Sequence, residues 1–445
     1  MSERAVFATR IGAIAATVGS AVGLGNIWRF PYEAGQHGGG AFLLIYLACV
    51  LVMGIPVIVA EFVIGRASRK NVCGALRALS PWRGLHFFGY LCVLASLMIM
   101  SFYSVVCGWI LEYIMQAVRG GMTGHTSQQN AEMFAQFVQN PWRSVMWTIL
   151  FLLLNYLILR RGLKRGIERL SNVLMPLLAV LLLAFCLNSL FMPQVWQGLS
   201  FLFTPDFSQI SPRMVVGAMG QAFFSLSVGL SCLLTYASYF KENDSLLRNA
   251  TMVAVFDTLV AILAGVMIFP AVFSYGVAPE AGPKLIFEVL PSIFQQMPVG
   301  GLWAVMFFAL LFVAAITSTI SVSEASIAFF CEEWGMSRNR ASLLNTVVSM
   351  IFGSLCALSF GVMSGFTIAG KTLFELFDYV ASNVFLPVGG MFFCIFVGWL
   401  LDRKLVKDQL TNHGTLSPRM LKPLIFCVRY VAPAAILAVF LYGIL

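Results

Sequence analysis

Gly19 to Pro31 reads GSAVGLGNIWRFP, inside an apolar run over about residues 10–34. Gly19, Gly23 and Gly25 fall at the middle depth of a stretch long enough to cross a bilayer as a helix. Each glycine costs up to ~1 kcal/mol relative to alanine inside a helix. In lipid the freed backbone groups find no water to bond. A helix so weakened survives where its unwound backbone lines a polar cavity; the other reading is that small residues let two helices pack closely. The weakness recurs at a similar depth in a second run, about 213–240, as Ser225-Leu226-Ser227-Val228-Gly229-Leu230-Ser231. Two interrupted spans, each opening a set of five, predict an inverted-repeat transporter with its site near the membrane midplane.

Outward from these breaks the composition agrees. Hydrophobic residues make up 59% of 445 positions and charged residues 11%, with a mean hydropathy of +0.87. A soluble core of this size needs more charged surface. The apolar runs are continuous rather than alternating, which excludes a β-barrel. The reading is an all-α polytopic membrane protein with eleven transmembrane helices, over about 10–34, 41–66, 84–118, 145–160, 167–191, 213–240, 248–276, 301–331, 342–361, 372–401 and 421–445. One transmembrane domain then occupies 1–445. A first repeat covers about 10–191, a second about 213–401, and an extra helix about 421–445. Glu132 to Val138 and Lys284 to Gln296 carry apolar residues at helical spacing in outer connections. The basic link from Leu163 to Leu170 suits a helix lying at the headgroups.

The net charge of +9 is a statement about topology. With a cytoplasmic N-terminus, the inner loops hold Arg4, Arg10, Arg66, Arg69, Lys70, Arg160, Arg161, Lys164, Arg165 and many further bases. The outer side keeps only Arg119, Arg143, Arg213, Lys284 and Lys371. That asymmetry is the positive-inside rule; no nucleic-acid partner is implied, and the C-terminus lies outside. Ten cysteines scattered singly and four separated histidines suggest neither a disulfide framework nor a zinc site. The chain enters its first span without a separable cleavage pattern, so no cleavable signal is expected. The Asn243–Ser245 sequon falls on the inner side, where glycosylation does not occur. No Ser/His/Asp set, acid–base carboxylate pair or phosphate loop accompanies the breaks, which argues against an enzyme. A sodium-dependent receptor that binds without transporting is the alternative to a transporter. Oligomeric state is not legible.

Gly19 to Pro31 closely resembles the first-span signature of the neurotransmitter:sodium symporter family, whose fold is that of the bacterial leucine transporter. The likeness continues through Gly38 to Phe42, Gly54-Ile55-Pro56 with Glu61, Phe102-Tyr103 with Trp109, Gln221 to Tyr239, Thr317-Ser318 and Asp378. It covers roughly the first ten spans; members often carry a twelfth, which this chain lacks.

The resemblance implies a sodium-coupled symporter that imports a neutral amino acid by alternating access, in the inner (plasma) membrane of a prokaryote. It implies two sodium ions. The first site would use the Ala21 carbonyl, the Asn26 amide oxygen, Ser225, Asp257 and the substrate carboxylate. The second would use carbonyls of Gly19, Val22 and Ala314 with the hydroxyls of Thr317 and Ser318. Taken alone, Thr317 and Ser318 also fit helix hydroxyls bonding back to carbonyls one turn earlier. The substrate carboxylate would meet the amides of Leu24 and Gly25 at a half-helix N-terminus, with the Tyr103 hydroxyl beside it. Ile99, Phe224, Ser227, Leu230, Val322 and Thr319 would surround the side chain, joined at the first sodium site by Ala21 and Ser225. No charge faces the ligand there, which favours hydrophobic or aromatic neutral amino acids. Monoamine transporters of the family carry aspartate where Gly23 stands, so monoamines are disfavoured.

Gating charges follow from the same resemblance. Arg29 and Asp378 would form the outer pair, with Phe224 as a lid, and Arg4, Tyr239 and Glu332 the inner network. Glu61 is expected to accept bonds from the unwound sixth span, and Glu324 has no role. The chain departs from the family at Asp257, usually asparagine, and at Ser231, commonly glycine. A carboxylate at Asp257 replaces the charge of a bound chloride, so no chloride requirement is expected; the alternative is an ion pair with Arg248.

Overall fold

The computed structural model describes residues 5–80, 82, 84–122, 124–276, 285–415 and 421–444. Among the described residues, nine continuous helices are long and apolar enough to cross a membrane. They are Gly40–Ser68, Phe87–Val118, Pro141–Leu159, Leu163–Ser189, Leu246–Ser274, Gly300–Glu333, Arg338–Leu358, Leu373–Leu400 and Leu421–Gly443. Counting the bent first span brings these to ten, close to the eleven expected, and the sixth is divided into two shorter helices. The first runs Arg10–Ala21, breaks, and resumes over Gly25–Gln36 at an angle of 49°. The sixth runs Pro212–Ser225 and resumes over Cys232–Ala237. No strand accompanies them among the described residues beyond two isolated bridges. The chain is a polytopic helical membrane protein.

Each break has a local cause. Val22 is extended (φ −65°, ψ 114°), so the helical ladder stops there. Beyond it the chain re-enters helix through a wide π-helical turn, Gly25–Arg29. In the sixth span Ser227, Gly229 and Ser231 all adopt positive φ, at 52°, 92° and 61°, which helix cannot accommodate. Gly229 permits a close approach: a Cβ there would collide with the Leu386 carbonyl of the tenth span. Glu61, fully buried in the second span, accepts from the Gly229 and Leu234 amides at 2.6 and 3.2 Å. It thereby satisfies donors that the break orphans.

Burial separates core from periphery. In the eighth span, Gly300–Glu333, 78% of the most apolar window is buried, against 22% in the eleventh. The eighth span therefore crosses the centre and the eleventh lines the edge. On the fifth span Val173, Leu177, Val180, Leu183 and Leu187 form an exposed apolar stripe at helical spacing, suited to lipid. The outer connections are helical as expected, over Ser127–Gln139 and from Leu285 to Gln295; Lys284 lies outside the described residues. The link from Leu163 begins as a π-helical turn, Leu163–Glu168, continuous with the fifth span.

Candidate ion and substrate site

The two breaks face each other across a polar cluster closed by the seventh span. Asn26 Nδ2 donates to Ser225 Oγ at 2.9 Å and to Asp257 Oδ1 at 2.7 Å. Ser225 Oγ donates to Asp257 Oδ2 at 2.8 Å, and the Tyr46 hydroxyl stands 3.5 Å from the same oxygen. Asn26, Ser225 and Asp257 are the side chains expected at the first sodium site, brought together from three spans, and Tyr46 joins them from the second. One detail differs: the Asn26 amide oxygen, the expected ligand, here accepts from the Gly23 amide at 2.9 Å. Asp257 is fully buried, and its recorded partners are Asn26, Ser225 and Tyr46 rather than Arg248. A buried carboxylate without a base is held by neutral donors and favours a proton or a cation beside it.

A second oxygen cluster joins the first break to the eighth span. Ser318 Oγ donates to the carbonyls of Val22 at 3.1 Å and Ser20 at 3.4 Å. Thr317 Oγ1 donates to Val313 at 3.0 Å and Ala314 at 3.1 Å, the back-bonding pattern of helix hydroxyls. Gly19 stands against Thr317, where a Cβ would lie 3.3 Å from the threonine Cβ. Gly19, Val22, Ala314, Thr317 and Ser318 therefore do converge, with Ser318 crossing between spans and Thr317 bonded within its own.

Between the clusters lies a chamber of about 60 Å³. Ala21, Leu24, Gly25, Ile99, Tyr103, Phe224, Ser225, Ser227, Leu230 and Val322 all line it, as expected. Thr319 does not; its hydroxyl accepts from Asn155 at 2.7 Å. Gly23, Phe102, Ser318, Ser382 and Leu386 complete the wall. The last two could have been found by stepping one and two turns from Asp378 along one face of the tenth span. Among the described residues, no charged side chain lines the chamber. The Tyr103 hydroxyl lies 3.3 Å from the Leu24 amide, at the half-helix N-terminus. A Cβ at Gly23 would lie 2.6 Å from Ser318 Oγ, so a side chain there would have to turn that hydroxyl away.

Beside the chamber, on the Arg29 side, is a larger cavity of about 430 Å³ holding Trp28, Arg29, Glu33, Phe374 and Asp378. Phe102, Tyr103 and Phe224 border both, so these rings form the partition. Arg29 lies over the Phe224 ring, 4.5 Å from its centroid, and pairs with Glu33 at 3.5 Å. Asp378 accepts from Ser382 Oγ at 2.9 Å. The expected outer pair thus lines one cavity: each member makes its short contact with another residue, while Arg29 still acts on Asp378 electrostatically. At the opposite end Tyr239 donates to Glu324 at 2.8 Å, and Glu324 holds both guanidinium nitrogens of Arg338, at 2.7 and 2.6 Å. Glu324, left without a role by the sequence, is fully buried in this network. Glu332 accepts from the Asn71 backbone and side-chain amides at 2.7 and 3.0 Å. Arg4 lies outside the described residues.

The model of the sodium:neurotransmitter symporter family matches residues 4–132 and 136–445. The chain belongs to this family. The sodium-dependent transporter YhdH of Bacillus subtilis is 36% identical over 435 residues, which cover 98% of this chain and 96% of the relative. The bovine sodium-dependent dopamine transporter is 25% identical, with 99% of this chain and 69% of the relative covered. The crystal structure of MhsT in complex with L-phenylalanine superposes with a TM-score of 0.90 at 41% identity, covering 99% of this chain and all of MhsT. This symporter therefore carries out sodium-coupled transport, on the leucine-transporter fold with its broken first and sixth spans.

Proposed function

We propose that this symporter imports a neutral, hydrophobic or aromatic amino acid with two sodium ions and without chloride. The observation carrying this reading is the uncharged chamber bordered by the Leu24 amide and the Tyr103 hydroxyl, with the Asn26–Ser225–Asp257 cluster alongside. An amide nest beside a cation suits an α-carboxylate. An apolar wall suits an apolar side chain, because a charge would enter it unpaired. The Gly23 contact with Ser318 supports exclusion of an aspartate that would pair an amine ligand. The L-phenylalanine complex of MhsT is consistent with the same chemistry.

In this reading Ala21, Asn26, Ser225 and Asp257 bind the first sodium, the Asn26 amide presenting its oxygen when the ion is bound. Gly19, Val22, Ala314, Thr317 and Ser318 bind the second. Arg29, Asp378 and Phe224 close the outer side; Tyr239 with Glu324 and Arg338 closes the inner side, where Arg4 and Glu332 also belong. Spans one to five and six to ten form the two repeats, in an inner membrane with the N-terminus cytoplasmic.

Uptake into liposomes under an imposed sodium gradient, with a panel of labelled amino acids, tests this. Leucine-like or aromatic amino acids should accumulate. Their amides and decarboxylated amines should compete poorly, because both lack the carboxylate that completes the first sodium site. Tryptamine displacing a bound amino acid as well as tryptophan does would overturn the carboxylate assignment.

A further inference from the structure

A carboxylate outside the ion and substrate site grips the start of the first span. Glu168, at the end of the π-helical turn Leu163–Glu168, is only 4% exposed although Lys164, Arg165 and Arg169 flank it in the chain. Its Oε2 accepts from the Ala8 amide, and its Oε1 from the Thr9 amide and the Thr9 hydroxyl, each at 2.9 Å. The Thr9 hydroxyl in turn accepts from the Gly12 amide, capping the helix Arg10–Ala21. Gly12 supplies the space, because a Cβ there would collide with the Glu168 carboxylate. Ala8 is held from its other side by Lys241, whose Nζ lies 3.1 Å from the Ala8 carbonyl.

Arg10–Ala21 is a half-helix. At its far end the ladder stops at Val22, so it joins the rest of its span through non-helical backbone alone. An element hinged at one end and clamped at the other has two available arrangements, docked and undocked. In the arrangement seen, the Ser20 and Val22 carbonyls at the end of this half-helix accept from Ser318 Oγ, so undocking it would pull them from that cluster. We propose that Glu168 is a positioning residue for transport: its carboxylate latches Arg10–Ala21 in the docked arrangement and holds the cytoplasmic side shut. Three bonds to one carboxyl group, nearly excluded from water, hold residues 8–9 in place.

The consequence is linkage. If sodium binds the docked arrangement alone, its apparent affinity scales with the docked fraction, and weakening the latch raises the sodium required. The inference rests on the transport reading above for its meaning, but its test does not need transport to succeed. Purified protein in nanodiscs would be assayed for sodium-dependent binding of labelled L-phenylalanine. A cysteine introduced as Ala16→Cys would be labelled by an impermeant thiol reagent, with the variant lacking that cysteine as background. Glu168→Gln should need about fivefold more sodium or more for half-maximal binding, within the ordinary range of ligand coupling to a two-state element. It should reach the same maximum and label faster at Ala16→Cys. Glu168→Asp should recover part of both. Where Glu168→Gln fails to fold, Thr9→Ala, which removes only the hydroxyl contact, carries the same comparison with a smaller shift. Unchanged sodium dependence and labelling in the folded variant would overturn the latch. Wild-type protein that binds L-phenylalanine but never accumulates it would instead overturn the transport reading and leave the latch comparison intact.

Discussion

At Asp257 the chemistry turns on one carboxylate that is buried and faces only neutral donors. In the proposed reading, two sodium ions and a zwitterion bring two positive charges into a dry site, and an anion at short range offsets them strongly. Uptake should therefore run at full rate when gluconate replaces chloride. Asp257→Asn should lose at least about tenfold in uptake, the equivalent of ~1.4 kcal/mol, or acquire a response to chloride. Wild-type uptake that collapses without chloride would remove this role. The second cluster makes a separate claim. Thr317→Ala with Ser318→Ala deletes two hydroxyl ligands at about 1 kcal/mol each, so half-maximal uptake should need roughly tenfold more sodium or more. Sodium dependence that stays put in the double variant would strike Thr317 and Ser318 from the ion site.

The broken sixth span depends on neighbouring elements for what its own sequence cannot supply. Its positive φ values at Ser227, Gly229 and Ser231 interrupt the ladder, Glu61 caps the freed amides, and Leu386 closes on Gly229. Gly229→Ala would impose both a strained backbone and a collision with backbone, costing about 2–4 kcal/mol. The expected result is a lower unfolding temperature in detergent together with lost ligand binding; a variant as stable as wild type would show that this approach is not required. The break itself was legible, because Gly229 stands among serines at mid-membrane depth. Glu61 as its cap was expected from the family resemblance; by itself the sequence says only that a carboxylate inside an apolar run must find donors. The Leu386 contact was not, because nothing local marks which span approaches a glycine.

For the whole molecule, the distribution of bases predicts that a reporter active only outside the cytoplasm works when fused after Leu445 and fails when inserted at Asn243. The opposite result would invert the topology on which uptake and the Glu168 latch are described. Spans and breaks were readable from hydropathy and glycine placement alone, whereas the polar residues at the site came from the family resemblance. Hydropathy and glycine placement are local properties in lipid, where every helix must satisfy its own backbone. The partners of the charges needed the tertiary structure. Arg29 lies with Glu33 and over Phe224, Glu324 with Arg338 and Tyr239, and Glu168 with Ala8 and Thr9. A buried charge announces in sequence that a partner exists. Which of several distant groups it meets is set by how helices far apart in the chain pack, and no local pattern carries that.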